Sequence, residues 1–163
     1  MNNSGVSATA RITDTTEEDY DFVMNTNAKG AFFVAQQTAK VMIAQKTAGR
    51  IINIASVAGM KVMSQLSVYC MSIAAVVHMT RAMALEWGRH GINVNAICPG
   101  YIVTEINAAH FETEAGQKLV SLLPRRRAGK PEDLDGILML LASDESRFVN
   151  GAAITADDGL AVA

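Results

Sequence analysis

The chain reads as an α/β domain with about three parallel strands flanked by helices. Two observations predict it. Three short apolar runs, at about 51–55, 92–97 and 152–155, are bounded by Gly, Pro, Asn or Ser. Between them lie long stretches with helical apolar spacing. Strands alternating with helices imply β-α-β connections, and strands apolar on both faces belong to a parallel sheet covered on both sides.

The elements follow in order. Thr15 with Glu18, or Thr16 with Asp19, offers the spacing of a helix N-cap, and the acidic cluster suits the positive end of the helix dipole. The helical pattern passes Tyr20, Val23 and Met24, is disturbed around Asn25-Thr26-Asn27, and resumes through Ile43. Gly49 is expected to stop this helix and Arg50 to start the first strand. Ala58-Gly59 opens a loop to Ser67, and a helix is predicted over about 67–87, ended by Gly88-Arg89-His90-Gly91. The second strand, about 92–97, is broken by Pro99-Gly100. A mobile loop from Tyr101 to Leu123 contains a helix at about 113–122. Pro131 suits the first turn of a helix reaching Leu141, and a last strand at 152–155 precedes Asp157-Asp158-Gly159.

Length and composition set limits. A chain of 163 residues suits one domain, 1–163, with a real core. Half the residues are hydrophobic and the net charge is −2, so no basic excess points to nucleic acid. No apolar run is read as reaching membrane-spanning length, and the polar start is no signal peptide; a cytoplasmic protein is expected. Cys70 and Cys98 lack metal-ligand spacing and are read as reduced and structural. The three histidines show no ligand spacing either, so no metal is expected.

Chemistry concentrates between Ser56 and Ile73. Ser56 ends the first strand, and Tyr69, thirteen positions on, opens a helix. A hydroxyl at a strand's C-terminal end and a phenol at a helix start can converge on the crevice where open α/β sheets bind ligands. Asn27 lies in Asn-x-x-Gly with Gly30, and Pro99-Gly100-Tyr101-Ile102-Val103-Thr104 follows the second strand. Together these resemble the short-chain dehydrogenase/reductase family, of the 3-oxoacyl reductase-like type. Its pattern pairs serine with Tyr-x-x-x-Lys; Ile73 stands where the family has lysine. The opening Asn2-Asn3-Ser4-Gly5 resembles the family's Asn-Asn-Ala-Gly turn, with Ser4 for alanine.

The resemblance covers Asn2 to Gly159 and implies the C-terminal half of a doubly wound, Rossmann-like parallel sheet. It implies NAD or NADP as cofactor and an alcohol/ketone pair as substrate. Tyr69 would be the acid/base, Ser56 would orient substrate, and Asn27 would serve a proton relay. Asn2, Gly5, Pro99, Gly100, Ile102 and Thr104 would lie along the cofactor. It also implies a homo-oligomer through helices of about 16–46 and 67–88. Scanning finds no Gly-rich nucleotide loop, so the chain resembles an N-terminally truncated copy. Strand 51–55 would then be an open edge, which Gly5–Ile12 could alternatively cover.

Position 73 lies about 40° from Tyr69 on the same helix face. With isoleucine there, the phenol is expected to titrate near about 10 and turnover to be crippled. Lys61 lies in the preceding loop with nothing to aim it, and Arg125-Arg126-Arg127 reads as a solvated loop. The alternative reading is a non-catalytic interaction protein, or an engineered fragment, that keeps the oligomerising helices.

Overall fold

The computed structural model describes residues 1–163. Helix α1, Glu17–Met24, is capped by Thr16, whose hydroxyl accepts from the Asp19 N–H and donates to the Asp19 carboxylate. Of the two spacings read in the sequence, Thr16 with Asp19 forms the cap. A π-helical segment, Asn25–Gly30, occupies the disturbed stretch, and α2 resumes at Ala31–Gln45. Lys46, at φ 53°, ends α2 in the left-handed region, so the stop comes before Gly49. Gly49 instead begins β1, Gly49–Ile54, and a Cβ there would collide with the side chain of Met42.

Helix α3 spans Ser67–Trp87, and left-handed Gly91 (φ 72°) turns the chain into β2, Ile92–Pro99. The second strand therefore includes Pro99 rather than breaking before it. The expected mobile loop carries α4, Ala108–Glu112, as well as α5, Glu114–Ser121. Pro131 opens a 3-10 turn leading into α6, Asp135–Ala142, and β3 is Ala153–Ala156.

The sheet is parallel, in the order β1-β2-β3, with Ile51 opposite Val94 and Ile97 opposite Ile154. Alternation along the strands sorts the core. Ile51, Ala55, Ile92, Val94, Ala96 and Cys98 pack against α2 and α3. Ile52 and Ile97 meet Leu141 of α6 on the other face. Polar residues in these layers are paired: Asn53 donates to Thr80 Oγ1 at 2.9 Å, and Asn95 donates to the Val149 carbonyl at 2.9 Å.

The stretch Ser67–His90 is long and apolar enough to cross a membrane by length and composition alone, with mean hydropathy 1.4. This corrects the expectation that no run reaches that length. Half of this stretch is buried inside the fold, and residues such as Val76 and Val77 belong to the core cluster that includes Ala96 and Cys98 of β2. Its apolarity is that of a helix lying on a sheet.

Gly5–Ile12 does not lie along the β1 edge. Asn2 does so instead, in a parallel bridge to Asn53: its N–H reaches the Ile52 carbonyl and its carbonyl accepts from the Ile54 N–H, both at 2.8 Å. The chain then crosses to Asn27, and at Ala10 to the Gln65 carbonyl.

Candidate active site

A cleft of about 1060 Å³ opens at the C-terminal ends of β1 and β2. Asn27, Ser56, Tyr69 and Ile73 line it, and so do Asn2, Gly5, Pro99, Gly100, Ile102 and Thr104. The fold thus brings these ten residues, from five separate segments, to one cleft. The physical reason is the parallel topology: each strand ends on the same side, so the loops that follow share one crevice.

Ser56 leaves β1 in extended backbone and its hydroxyl accepts from the Ala58 N–H at 3.2 Å. Tyr69 sits in the first turn of α3, half-buried against the apolar cluster that holds Ile73. Burial pushes its phenol above the ordinary value, the Ser56 hydroxyl pulls it part-way back, and a Cys70 thiolate would raise it. No Ser56–Tyr69 hydrogen bond of good geometry closes, so burial decides the direction. The expectation of an unshifted phenol is therefore corrected: α3 lays the ring against the core, which penalises the phenolate.

A prediction follows from that sign. A phenol raised in the folded state contributes stability fully below about pH 10, and this is lost as pH climbs through the folded value. Phenolate absorbance in a variant retaining only Tyr69 is expected to rise with a midpoint above 10. A midpoint at or below 10 would show that burial is not the dominant influence.

Ile73 is 4% exposed, among Ala31, Ala55, Val76 and Val77. A Cβ built on Gly59 would approach its Cγ2 to 3.0 Å, so the loop after β1 presses directly on this side chain. No cation replaces the missing lysine. Lys61 donates to the oxygens of Leu160 and Ala163, at 3.0 and 2.8 Å, and is thereby tied to the last turn of the chain.

Asn27 is buried within the π segment and uses its whole amide. Its Oδ1 accepts from the Val6 N–H at 2.8 Å; its Nδ2 donates to the Val6 carbonyl at 2.8 Å and to Ser72 Oγ at 2.9 Å. Ser72 in turn donates to the Tyr69 carbonyl at 2.8 Å. Sequence reading missed Ser72. Its signal is a hydroxyl three positions after the tyrosine, on the helix face that turns toward the core.

At the other wall, Gly100 is required by close approach: a Cβ there would lie 2.9 Å from Asp157 Cα. The Ile102 carbonyl accepts from Asn107 Nδ2 at 2.9 Å, and the Thr104 N–H donates to Asn107 Oδ1 at 2.8 Å. Asn107 thus fixes the turn that carries both. Beyond it, Arg125 and Arg127 are not simply solvated. They reach the two oxygens of Asp158 at 3.0 and 2.7 Å, and Arg127 also meets Asp133 at 3.3 Å. Partial burial works against ionising Asp158, but the hydrogen bonds from Arg127 and Arg125 outweigh it and hold the carboxyl below its ordinary range.

Comparison with known proteins decides what this arrangement belongs to. A family model described as enoyl-(acyl carrier protein) reductase matches residues 1–161. The chain belongs to the short-chain dehydrogenase/reductase family. It is 39% identical over 160 residues to 2-dehydro-3-deoxy-D-gluconate 5-dehydrogenase of Escherichia coli, covering 98% of this chain and 63% of that one. It is 38% identical to a 3-oxoacyl-[acyl-carrier-protein] reductase of Thermotoga maritima, covering 99% of this chain and 65% of that one. Among solved structures it superposes on a gluconate 5-dehydrogenase from Burkholderia cenocepacia, in complex with NADP and tartrate. The TM-score is 0.93 and the identity 35%, over 99% of this chain and 63% of that one. The chain therefore spans about two thirds or less of the length of these short-chain dehydrogenase/reductase relatives.

Proposed function

We propose that residues 1–163 form one domain equivalent to the C-terminal part of a cytoplasmic, NAD(P)-dependent alcohol/ketone oxidoreductase, and that this chain does not turn over unaided. The observation that carries this reading is the shared cleft in which Tyr69 and Ser56 stand together while Ile73, buried beside them, offers no polar group. Tyr69 would exchange the proton with substrate oxygen and Ser56 would orient that oxygen. The bound cofactor would supply the hydride in such chemistry.

The residues present do not fit a firmly held nicotinamide cofactor. Isoleucine cannot hydrogen-bond a ribose, Lys61 is engaged elsewhere, and Tyr69 has no cation to draw off its proton. Direct titration calorimetry with NADH and NADPH is expected to show no binding heat up to millimolar cofactor. Micromolar binding of either would overturn the reading.

A second reading, a non-catalytic interaction protein, is supported by exposed apolar side chains on the two long helices. Phe33, Val34 and Val41 on α2, and Met71 and Leu85 on α3, are all about half exposed or more. Exposed large apolar side chains on two long helices are the kind of surface that an interface covers. The proposed homo-oligomer, through helices of about 16–46 and 67–88, predicts a dimer or larger species by light scattering. A clean monomer at micromolar concentration would sink it.

A further inference from the structure

The cleft at the C-terminal ends of β1 and β2 has a lopsided chemistry. More than half of its lining residues are hydrophobic, among them Met63, Leu66, Ile106, Leu134 and Leu138. Ile73 extends this apolar wall beside Tyr69. No lysine, arginine or histidine side chain lines it, and Asp135 supplies its one carboxylate. The cations nearby are engaged elsewhere. Arg125 and Arg127 line a second hollow, of about 210 Å³, that shares Gly100, Tyr101 and Ile102 with the cleft, and they are held there by Asp158 and Asp133. Lys61 is bound to the oxygens of Leu160 and Ala163. A carboxylate or phosphate entering this lining would lose water with no cation to replace it, and would meet Asp135 as well.

The polar handles are few. Ser56 Oγ accepts from the Ala58 N–H, and neither its proton nor that of Tyr69 goes to a protein acceptor of good geometry. Two such donors suit an oxygen with lone pairs and no proton of its own, as in a ketone or aldehyde. The amides of Asn2, Asn27, Asn53 and Asn107, also in the lining, are already hydrogen-bonded within the fold. Carboxamides that could serve the hydroxyls of a polyol are thus mostly committed. We infer, resting on the reading of Ser56 and Tyr69 as a carbonyl site, that the cleft takes an apolar ketone or aldehyde with no anionic group. Its oxygen would lie between the two hydroxyls and its body against the apolar wall, the usual division of labour in a small-molecule pocket.

The test uses the full chain, isotope-labelled and without cofactor, titrated with acetophenone, para-acetylbenzoate and dihydroxyacetone. Amide chemical shifts of Ser56, Tyr69 and Ile102 report occupancy of the cleft. Acetophenone is expected to saturate them with a Kd of about 1–10 mM, as suits so small a ligand. The benzoate and dihydroxyacetone are expected to bind about tenfold more weakly or worse. Ser56→Ala and Tyr69→Phe each remove one donor and are expected to weaken acetophenone about three- to tenfold. Should circular dichroism show one of them misfolded, the other carries the comparison. Ile106 lines the cleft and is 98% exposed, so Ile106→Arg adds a cation without disturbing the core. That variant is expected to gain about fivefold or more for the benzoate and to hold acetophenone as the parent does. Benzoate or dihydroxyacetone binding as tightly as acetophenone to the parent, or no gain for the benzoate in Ile106→Arg, overturns the ligand class and leaves the carbonyl site standing. Absence of acetophenone shifts at Ser56 and Tyr69, or full affinity in both donor variants, overturns the carbonyl site and the ligand class together.

Discussion

Replacing Ile73 with lysine is expected to lower the Tyr69 titration midpoint by about 1–3 units, the effect of an opposite charge brought within a few ångströms. Position 73 is one turn along α3 from Tyr69, where side chains four apart are neighbours, and both residues line the cleft. The longer side chain enters a packed cluster against Gly59, so a cost of about 1–3 kcal/mol in stability accompanies it. Phenolate absorbance against pH, in a background where Tyr20 and Tyr101 are phenylalanine, reads the first effect; urea unfolding at pH 7 reads the second. An unmoved phenol midpoint would mean that the lysine points away from the cleft and that Ile73 alone does not account for the lost cation.

Asn27→Leu is the second large effect. The substitution removes three hydrogen bonds at once and leaves the Val6 N–H and carbonyl, and one side of the fully buried Ser72 hydroxyl, without their partner. Leaving a buried polar group unpaired costs about 1–3 kcal/mol. Val6 is half-buried and regains water, so a total loss of about 2–4 kcal/mol is expected. Because the same amide pins the segment that follows Asn2, exchange of the Val6 amide should speed up more than that of β2. A stability change under 1 kcal/mol would place Asn27 outside the supporting frame of the cleft.

Legibility differed from residue to residue. The three strands were legible because apolar runs of four to eight residues between turn formers have few other solutions. Thr16 and Asp19 announced the start of α1, and the mismatch at Asn25–Asn27 announced a break in the helix. What the break was for stayed hidden, because the partners of Asn27 are Val6 and Ser72, 21 and 45 positions away. Gly49 misled for the same reason. It lies in β1, past the end of the helix, where a Cβ would meet the side chain of Met42.

By itself, the sequence determined the α/β class, the spacing of Ser56, Tyr69 and Pro99-Gly100, and the isoleucine at 73, since these are matters of local pattern and residue identity. Only the tertiary structure decided that Tyr69 titrates upward, that Lys61 is tied to the chain's last turn, and that Asn2 rather than Gly5–Ile12 lies on the β1 edge. Each of those depends on burial or on a partner distant in sequence, and neither is encoded in the periodicity of a single segment.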